Sequence, residues 1–195
     1  MWGAAELGLA VERRDVGGRF GGTDTPEYRA MNPFGLVPVL EDGDTVMFES
    51  AAILRYLIAT YDPDGRLATT PRGHSWAEWA KLSLCNSFMV PVFWAYYRTP
   101  EAERNMAAVD TALRGFEGLA SIAIEARGAA PYLIGETLSL PDIWFGPVLF
   151  RYFTLDLTRQ VPAGLQDYYA RMCMRDAYRA HVMIDYSDLK GRLSF

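Results

Sequence analysis

The spacing of apolar residues changes at a polar stretch about a third of the way along the chain. Before residue 62, short apolar runs alternate with turn residues, whereas beyond residue 73 apolar residues recur at the three- and four-residue intervals of amphipathic helices. The strong turn formers Asp62-Pro63-Asp64-Gly65 open the intervening segment. We therefore predict an α/β domain over residues 1–62, a linker over 63–73 and an all-helical domain over 74–195.

One stretch of the first domain predicts a β-hairpin. Apolar runs at 36–40 and 45–48 flank Asp42-Gly43, and an Asp-Gly pair between two apolar runs is a strong signal for a tight turn. A further short strand is expected over residues 11–16, where valines stand at both ends and charged residues lie between them. Strands and helices thus alternate in this domain, as they do in α/β folds.

Two helices of the first domain have recognisable starts. Residues 26–31 predict a short helix, because Thr25 can cap its first amides and Pro26 suits the first helical position. Residues 51–61 predict a second helix with an apolar face, and Ser50 is expected to cap it.

The second domain is predicted to contain helices at about residues 74–98, 101–127, 141–155 and 165–180. Pro91 is expected to kink or interrupt the first of them, because proline removes a backbone donor. Strand signals are lacking in this part of the sequence, which indicates a helical bundle.

Charge and composition argue against two kinds of partner. The chain has 19 Lys and Arg against 24 Asp and Glu, a net charge of −5, and shows no basic patch of the kind that binds nucleic acid. The longest uncharged run, residues 82–97, is too short for a membrane span and contains Asn86, Ser87 and Pro91. We therefore expect no nucleic-acid partner and no membrane association.

The two cysteines, Cys85 and Cys173, are far apart, and the first residues lack a basic leader. This pattern is typical of a protein of the reducing cytoplasm. His74 and His181 are also far apart and have no neighbouring Cys or carboxylate cluster, so no metal site is expected. Cys85 lies in an apolar helical stretch without an evident cationic neighbour, and we expect it to pack rather than to act as a nucleophile.

The junction between the hairpin and the helix that starts near Ser50 has the properties of an anion site. The first amides of a helix have no intrahelical acceptor and carry the positive end of the helix dipole. Ala51 and Ala52 are small enough to let a ligand approach these amides. A carboxylate or phosphate would fit there; the alternative is an ordinary capped helix that binds only water.

Pro38 interrupts the first apolar run of the hairpin, which places this segment at an edge or a bulge. A cis bond before Pro38 would turn the Val37 amide and carbonyl outward, where they could pair with an extended, peptide-like ligand. The alternative is a trans proline on an ordinary edge strand, which is the commoner form.

Several segments together resemble the glutathione transferase superfamily. Asn32–Leu40 (NPFGLVPVL), Asp42-Gly43 and Phe48–Ile53 (FESAAI) are similar in order and spacing to the family's stretch from its second helix, through a cis-proline, to its third helix. In the helical part, Gly135–Ile143 (GETLSLPDI) resembles the family's capping motif at a buried helix. Within it, Ser139 and Asp142 have the spacing of a capping box, for which we expect a structural role.

The resemblance implies a thioredoxin-like domain followed by a helical bundle, and a homodimer. It also implies glutathione as the substrate, with its thiolate attacking an apolar electrophile. By position, the backbone of Val37, before the cis-Pro38, would pair with the cysteinyl part of glutathione. Glu49 would bind the γ-glutamyl ammonium group, and the Ser50 hydroxyl and amide would bind the γ-glutamyl carboxylate.

The resemblance further implies that a first strand and a loop precede Met1, so that the thioredoxin-like domain is incomplete at its start. In the family that loop carries the Tyr, Ser or Cys that stabilises the thiolate, and the catalytic residue here is therefore unknown. Three explanations stay open: a longer native chain, a short variant that binds glutathione poorly or not at all, or a substitute Ser or Tyr from the helical half. A non-catalytic binding protein and a glutathione-dependent isomerase, dehalogenase or reductase are the alternative functions.

An aromatic run in the first helix of the second domain offers a site for the electrophile. Phe93, Trp94 and Tyr97 recur at helical spacing and could form one wall of an apolar pocket, with core packing as the alternative. Arg98 follows them and could contact an anionic group, although solvation is the simpler expectation, as it is for Arg114.

Overall fold

The computed structural model describes residues 1–67 and 70–193, and these form two compact units. Met1 and Gly3–Gly65 make up the first unit, and Trp2 with the described part of Arg66–Leu193 makes up the second. The first unit combines a small sheet with helices, and the second is built from helices. This order confirms the predicted fold class, α/β followed by all-α.

In its described residues the first unit contains α1 (Trp2–Glu6), a 3-10 turn (Gly18–Phe20), α2 (Pro26–Met31), β1 (Val39–Asp42), β2 (Thr45–Phe48) and α3 (Ser50–Tyr61). Helices α1 and α3 approach each other closely, because a Cβ on Gly3 would lie 2.5 Å from the Leu54 side chain. Leu54, Leu57 and Ile58 of α3 are buried, which confirms the predicted apolar face of this helix.

Strands β1 and β2 form the predicted hairpin. They pair antiparallel with Val39 opposite Phe48 and Asp42 opposite Thr45, which leaves Gly43 and Asp44 as a two-residue loop. Gly43 has a φ of +57°, a conformation that a type II′ turn requires at its first loop residue and that glycine adopts at little cost.

Two further expectations for this unit have opposite outcomes. The α2 prediction is confirmed, with the Thr25 hydroxyl accepting a hydrogen bond from the Tyr28 amide at 3.2 Å. The strand expected over residues 11–16 is wrong, because the described residues form no strand besides β1 and β2, and a strand needs a ladder partner. Charged side chains of this segment pair locally instead, as in the ion pair of Arg13 with Asp15 at 2.6 Å.

The second unit begins with one long helical run. It comprises α4 (Pro71–Trp79), a π-helical segment (Ala80–Leu84), α5 (Cys85–Phe88) and a second π-helical segment (Met89–Arg98). A 3-10 turn (Glu101–Glu103) leads to α6 (Met106–Arg127), followed by α7 (Leu140–Thr154), α8 (Leu165–Cys173), α9 (Asp176–His181) and a 3-10 turn (Ser187–Leu189).

Capping residues set two helix starts that differ from the prediction. Helix α4 begins at Pro71, inside the expected linker, because the Thr70 side chain caps it and proline suits its first position. Helix α6 begins at Met106 rather than near residue 101, because the Asn105 side chain caps it.

Two predicted helices are altered within their length. Pro91 does not end the long helical run but lies in its second π-helical segment, whose wider turns accommodate a residue without an amide donor. The single helix expected over 165–180 is divided after α8, where the Arg175 amide donates to the Met172 carbonyl at 3.0 Å in a tighter turn.

The core of the second unit contains a buried carboxylate. Asp142 and Ser139 are fully buried and form the predicted capping box at the start of α7. Asp142 accepts from the Ser139 amide at 2.8 Å, from the Leu133 amide at 3.0 Å and from the Tyr168 hydroxyl. The carboxylate therefore ties the start of α7 to α8 and to the preceding segment.

Candidate functional site

The segment between α2 and β1 is fixed by hydrogen bonds to one carbonyl oxygen. The Leu36 carbonyl accepts from the Tyr28 hydroxyl at 2.9 Å and from the Asn32 side-chain amide at 2.7 Å. Both donor side chains are buried, and the Asn32 side-chain oxygen accepts from the Phe34 amide at 3.1 Å. The backbone that leads into Val37 is therefore held by two separate side chains.

Gly35 allows this segment to pack tightly. Its φ is +63°, and a Cβ there would lie 2.8 Å from the Thr23 carbonyl oxygen and 2.8 Å from the Arg29 guanidinium carbon. The Arg29 guanidinium donates to the Pro33 carbonyl at 2.9 Å and would lose this bond by moving away. Both the backbone conformation and the available space therefore require glycine.

The Val37–Pro38 peptide bond is cis, as the resemblance implies. The Val37 residue is 55% exposed, so this step lies at the surface of the first unit. The next residue, Val39, opens β1 and pairs with Phe48, close in sequence to the start of α3.

Helix α3 begins one residue earlier than predicted. The expectation that the Ser50 side chain caps it is wrong, because Ser50 is already helical and Glu49 takes the cap position. The Glu49 carbonyl accepts from the Ile53 amide at 2.9 Å, and Glu49 reaches this position with a φ of +70°. The Ser50, Ala51 and Ala52 amides therefore stand at the positive end of the helix, where amides have no intrahelical acceptor.

These features meet at one cavity of about 300 Å³ in the first unit. It is lined by the segment that precedes β1 and by the start of α3, namely Asn32, Phe34, Leu36, Val37, Pro38, Glu49 and Ser50. The structure thus brings together Val37, Pro38, Glu49 and Ser50, the four residues that the sequence indicated for a ligand. Exposed main chain together with helix-terminal amides can accept an extended ligand with an anionic end.

The three aromatic residues considered for an electrophile pocket separate into two groups. Phe93 and Tyr97 stack with ring centroids 5.6 Å apart, and the Tyr186 ring packs edge-on against them at 5.5 and 5.0 Å. We call Phe93, Tyr97 and Tyr186 the aromatic cluster. Phe93 is buried within it, as core packing requires, whereas Trp94 lies under the Arg98 guanidinium at 4.0 Å.

The expectation that Arg98 is solvated is wrong, because this residue is buried. Its Nε donates to the Arg192 carbonyl at 2.7 Å, and the neighbouring Tyr97 carbonyl accepts from the Gly191 amide at 2.9 Å. These bonds attach the segment that contains Gly191 and Arg192 to the end of the long helical run. The Arg98 guanidinium also stacks on the Trp94 ring.

Cys85 is half-buried, and its thiol donates to the Trp144 carbonyl at 3.6 Å. Burial raises the pKa of the Cys85 thiol to about 11, against the opposing effects of Arg151 and Lys81. Cationic neighbours, which the sequence did not indicate, are therefore present, but burial has the larger effect on the pKa of this thiol. The thiol is protonated at neutral pH, which supports its predicted packing role.

Comparison with known proteins identifies the family. Residues 1–60 match the family described as "Glutathione S-transferase, N-terminal domain". The chain is also 31% identical over 188 residues to "Glutathione S-transferase GstB" of Escherichia coli, an alignment that covers 93% of this chain and 90% of that protein. The chain belongs to the glutathione S-transferase family.

Solved structures share the fold of this glutathione S-transferase. The theta class enzyme from Xanthomonas axonopodis pv. citri, solved with glutathione bound, is similar with a TM-score of 0.85 and 40% identity, covering 94% of this chain and 90% of that one. Glutathione transferase F7 from Populus trichocarpa shares the fold with a TM-score of 0.78 and 20% identity, covering 94% and 92% of the two chains. The expected thioredoxin-like domain and helical bundle are confirmed.

Some residues that shape these sites in the glutathione S-transferase were not singled out from the sequence. Asn32 belonged to the matching motif but had no assigned role, and Tyr28 carried no signal beyond its place in α2. Tyr186 joins the aromatic cluster from a segment that lies far along the chain, so no local spacing could indicate it.

Residues 1–67 and 70–193 of this glutathione S-transferase were also searched for metal clusters and membrane spans. They contain no group of three or more His, Cys, Asp and Glu side chains that could hold a metal ion. None of the helices in these ranges is long and apolar enough to cross a bilayer.

Proposed function

We propose that this glutathione S-transferase joins the thiolate of glutathione to an apolar electrophile. The observation that supports the proposal most directly is the cavity in which Val37, Glu49 and Ser50 lie together. Such a cavity suits a small peptide that has an extended part and a carboxylate end. Glutathione is a peptide of this kind.

Each cavity residue has a proposed role in holding glutathione. The Val37 amide and carbonyl pair with the cysteinyl residue, as an added strand would. The γ-glutamyl carboxylate binds at the positive end of α3, with the Ser50 amide and hydroxyl as donors. Glu49 binds the neighbouring ammonium group, because the two charges of this zwitterion need partners of opposite sign. The similarity to the Xanthomonas enzyme, whose structure holds glutathione, supports this assignment.

The aromatic cluster is the proposed binding surface for the electrophile. Tyr97 and Tyr186 are its half-buried members, and such rings bind flat apolar molecules favourably. Phe93 is buried and stacks against Tyr97, which it holds in place. Trp94, which is 37% exposed beside Arg98, is the second aromatic surface of this proposal.

The proposed enzyme is a homodimer. Leu82 and Val90 expose apolar side chains along the long helical run, with 54% and 63% of their surface accessible. Exposed apolar residues that recur along one element are typical of interfaces. Light scattering should give twice the chain mass of 21.9 kDa, whereas a mass of 21.9 kDa would contradict the dimer.

The reducing cytoplasm is the proposed compartment of the enzyme. Cys85 and Cys173 are free thiols, and disulfide-free cysteines are usual for proteins of that compartment. Fractionation of the source cells with an antibody against the chain would test this placement.

Substitution of Ser50 tests the glutathione site. The change Ser50→Ala should weaken glutathione binding about tenfold in a calorimetric titration, because a donor to a charged carboxylate is lost. The control is Ser75→Ala, an exposed position on α4, which should bind glutathione like the wild type. Equal affinity of the Ser50→Ala variant and the wild type would contradict the site assignment.

Conjugation is measured with 1-chloro-2,4-dinitrobenzene, whose glutathione conjugate absorbs where the substrate does not. The proposal expects the wild type to accelerate this reaction above the rate in buffer. Tight glutathione binding without acceleration for this or any other electrophile of a panel would instead support a non-catalytic binding protein.

A further inference from the structure

Arg151, on α7, is a half-buried cation beside the aromatic cluster. Its guanidinium carbon lies 5.2 Å from the centre of the Phe93 ring and 5.9 Å from the centre of the Tyr186 ring. Its Nη1 donates to the Pro147 carbonyl of the same helix at 3.1 Å. Its Nε is buried and has no hydrogen-bond partner within the part of the chain that the structure describes.

No carboxylate of residues 1–67 and 70–193 compensates the charge of Arg151. The ionisable groups that act on it are Tyr186, Tyr178 and Cys85, two phenols and a thiol, and none of them is a carboxylate. Burial lowers the pKa of the Arg151 guanidinium, which is the effect of moving a cation out of water. An unpaired, desolvated cation destabilises a fold, and an anion bound beside Arg151 would reduce this cost.

Another half-buried arginine of the same unit shows the compensated arrangement. Arg159 lies 5.5 Å from the centre of the Tyr152 ring, and the Tyr152 hydroxyl donates to the Glu117 carboxylate at 2.9 Å. The Tyr186 hydroxyl instead shares a hydrogen bond with the Thr154 hydroxyl at 2.6 Å. The tyrosine beside Arg159 therefore brings a carboxylate with it, whereas Tyr186 does not.

A second cation adds to the positive charge of this region. The Lys81 Nζ lies 5.8 Å from the centre of the Trp144 ring, which belongs to α7 as Arg151 does. Lys81 and Arg151 both act to lower the pKa of the Cys85 thiol, although burial prevails over them. The thiol therefore lies in the field of both cations, and an anion near it would be stabilised by both.

Two carboxylates that lie near Tyr186 in the sequence act on Tyr97, another member of the aromatic cluster. Burial is the main cause of the raised pKa of Tyr97, and Asp185 and Asp188 add to it. The Asp185 carboxylate is held by the Ser187 amide at 2.9 Å and the Ser187 hydroxyl at 2.6 Å. Negative charge near Tyr97 and positive charge near Phe93 would orient a ligand with its acidic end toward Arg151.

From this arrangement we infer that Arg151 binds the carboxylate of an aromatic electrophile whose ring packs against Tyr97 and Tyr186, the half-buried rings of the aromatic cluster. The guanidinium presents a planar fork of donors that matches a carboxylate, and the neighbouring rings favour a flat substrate. The inference rests on the proposed function, because it names the class of electrophile that glutathione attacks.

The reaction with such a substrate is a nucleophilic aromatic substitution. The glutathione thiolate attacks the ring carbon that bears chloride, and a carbon–sulfur bond forms. Chloride leaves with the electron pair of the carbon–chlorine bond, and the proton of the original thiol passes to solvent. The substrate carboxylate is unchanged, so Arg151 determines specificity without taking part in the bond changes.

Two substrates that share the ring and the leaving group, one charged and one neutral, test the inference, with each variant compared with the wild type on the same substrate. The acid is 4-chloro-3-nitrobenzoate, and its neutral match is 4-chloro-3-nitrobenzamide, with the same ring and leaving group. The change Arg151→Met should lower kcat/KM for the benzoate about tenfold or more, because a hydrogen bond between charged groups is lost. It should change kcat/KM for the benzamide little, and Arg151→Lys should restore part of the benzoate activity.

Arg159→Met is the matched control, since Arg159 also stacks on a ring and has a buried Nε without a hydrogen-bond partner in the described chain. This control should not change the ratio of benzoate to benzamide activity. Loss of both activities to the same extent in Arg151→Met would show that Arg151 only packs the aromatic cluster, and would overturn the inference.

A binding measurement separates failure of this inference from failure of the proposed function. Calorimetric titration with 4-chloro-3-nitrobenzoate, without glutathione, should show weaker binding to Arg151→Met than to the wild type and to Arg159→Met. If the wild type conjugates neither substrate but this difference is seen, the proposed function fails and the carboxylate site stands. Equal binding of the benzoate to all three proteins would overturn the carboxylate site.

Discussion

The side-chain amide of Asn32 donates to the Leu36 carbonyl over 2.7 Å, and this bond fixes the backbone that carries Val37. The change Asn32→Ala removes this donor and the acceptor of the Phe34 amide. We expect KM for glutathione to rise about fivefold with kcat nearly unchanged, because a net hydrogen bond contributes on the order of 1 kcal/mol to the ordered segment.

Two variants show whether this effect comes from positioning. Asn86→Ala, at an exposed position of α5, should leave KM unchanged. Asn32→Asp keeps the acceptor for the Phe34 amide but places a buried carboxylate oxygen against the Leu36 carbonyl, so its KM should rise at least as much as that of Asn32→Ala. A fall in kcat with an unchanged KM would contradict a positioning role.

Glu117, in the middle of α6, is a buried carboxylate whose partners are all within the second unit. It accepts from the Tyr152 hydroxyl at 2.9 Å and the Gln160 amide at 2.7 Å, and it forms an ion pair with Arg114. The change Glu117→Ala leaves the Tyr152 hydroxyl and the Gln160 amide without this acceptor, whereas Arg114 keeps its contacts with Asp110 and the Thr158 carbonyl. Two donors that lose their acceptor should cost about 3 kcal/mol in the free energy of unfolding. Urea denaturation followed by circular dichroism measures this loss.

The control for Glu117 lies on the same helix. Glu125 is exposed and accepts a hydrogen bond from Ser121 at 3.0 Å, so Glu125→Ala should change the free energy of unfolding by less than about 0.5 kcal/mol. Similar losses in the two variants would mean that the Glu117 network does not contribute as proposed.

Asp42, at the end of β1, accepts from the Tyr61 hydroxyl at 2.6 Å and the Tyr56 hydroxyl at 2.9 Å. These bonds hold the pKa of Asp42 below its ordinary value of 3.8, with Tyr61 as the larger cause, and the same contact raises the pKa of Tyr61 to about 12. Because the native pKa of Asp42 lies below its unfolded value, the bonds stabilise the fold above about pH 3.8, and this contribution is lost as the pH falls through the native pKa.

Carbon-13 NMR titration of the Asp42 carboxyl should therefore give a pKa below 3.8 in the wild type. The change Tyr61→Phe should raise this pKa more than Tyr56→Phe does, and it should reduce the loss of stability on acidification. An unchanged Asp42 pKa in Tyr61→Phe would show that the tyrosine does not control this carboxylate.

The thiol of Cys85 should react slowly, since burial raises its pKa to about 11. At pH 8 only about 0.1% of such a thiol is ionised, so the rate of alkylation by iodoacetamide should rise about tenfold for each pH unit between 8 and 10. The measurement uses the Cys173→Ser variant, in which Cys85 is the remaining cysteine. A rate that levels off below pH 9 would contradict the raised pKa.

Sequence was sufficient where one short segment determines its own conformation. The Asp-Gly hairpin, the Thr25 cap and the Ser139–Asp142 capping box depend on neighbouring residues, and all three are present. Sequence misplaced the start of α3, because the cap position depends on the φ of +70° at Glu49, and glutamate does not signal that conformation.

Contacts between distant segments could not be predicted in this way. Glu117 and Arg114 have the spacing of an ordinary solvated pair on a helix, but the carboxylate is buried and accepts hydrogen bonds from Tyr152 and Gln160, which are distant in sequence. The strand expected over residues 11–16 was wrong for a related reason, because a strand depends on a partner that its own sequence does not specify.

The aromatic cluster takes two of its rings from the long helical run and the third, Tyr186, from a segment near the end of the described chain. The buried capping box of the bundle lies elsewhere, at the start of α7. On the proposal that the aromatic cluster binds the electrophile, mutations around Tyr186 should alter which compounds are accepted while the bundle keeps its folding determinants. Substrate range would then diverge among descendants of this enzyme through changes in one short segment, without loss of foldability.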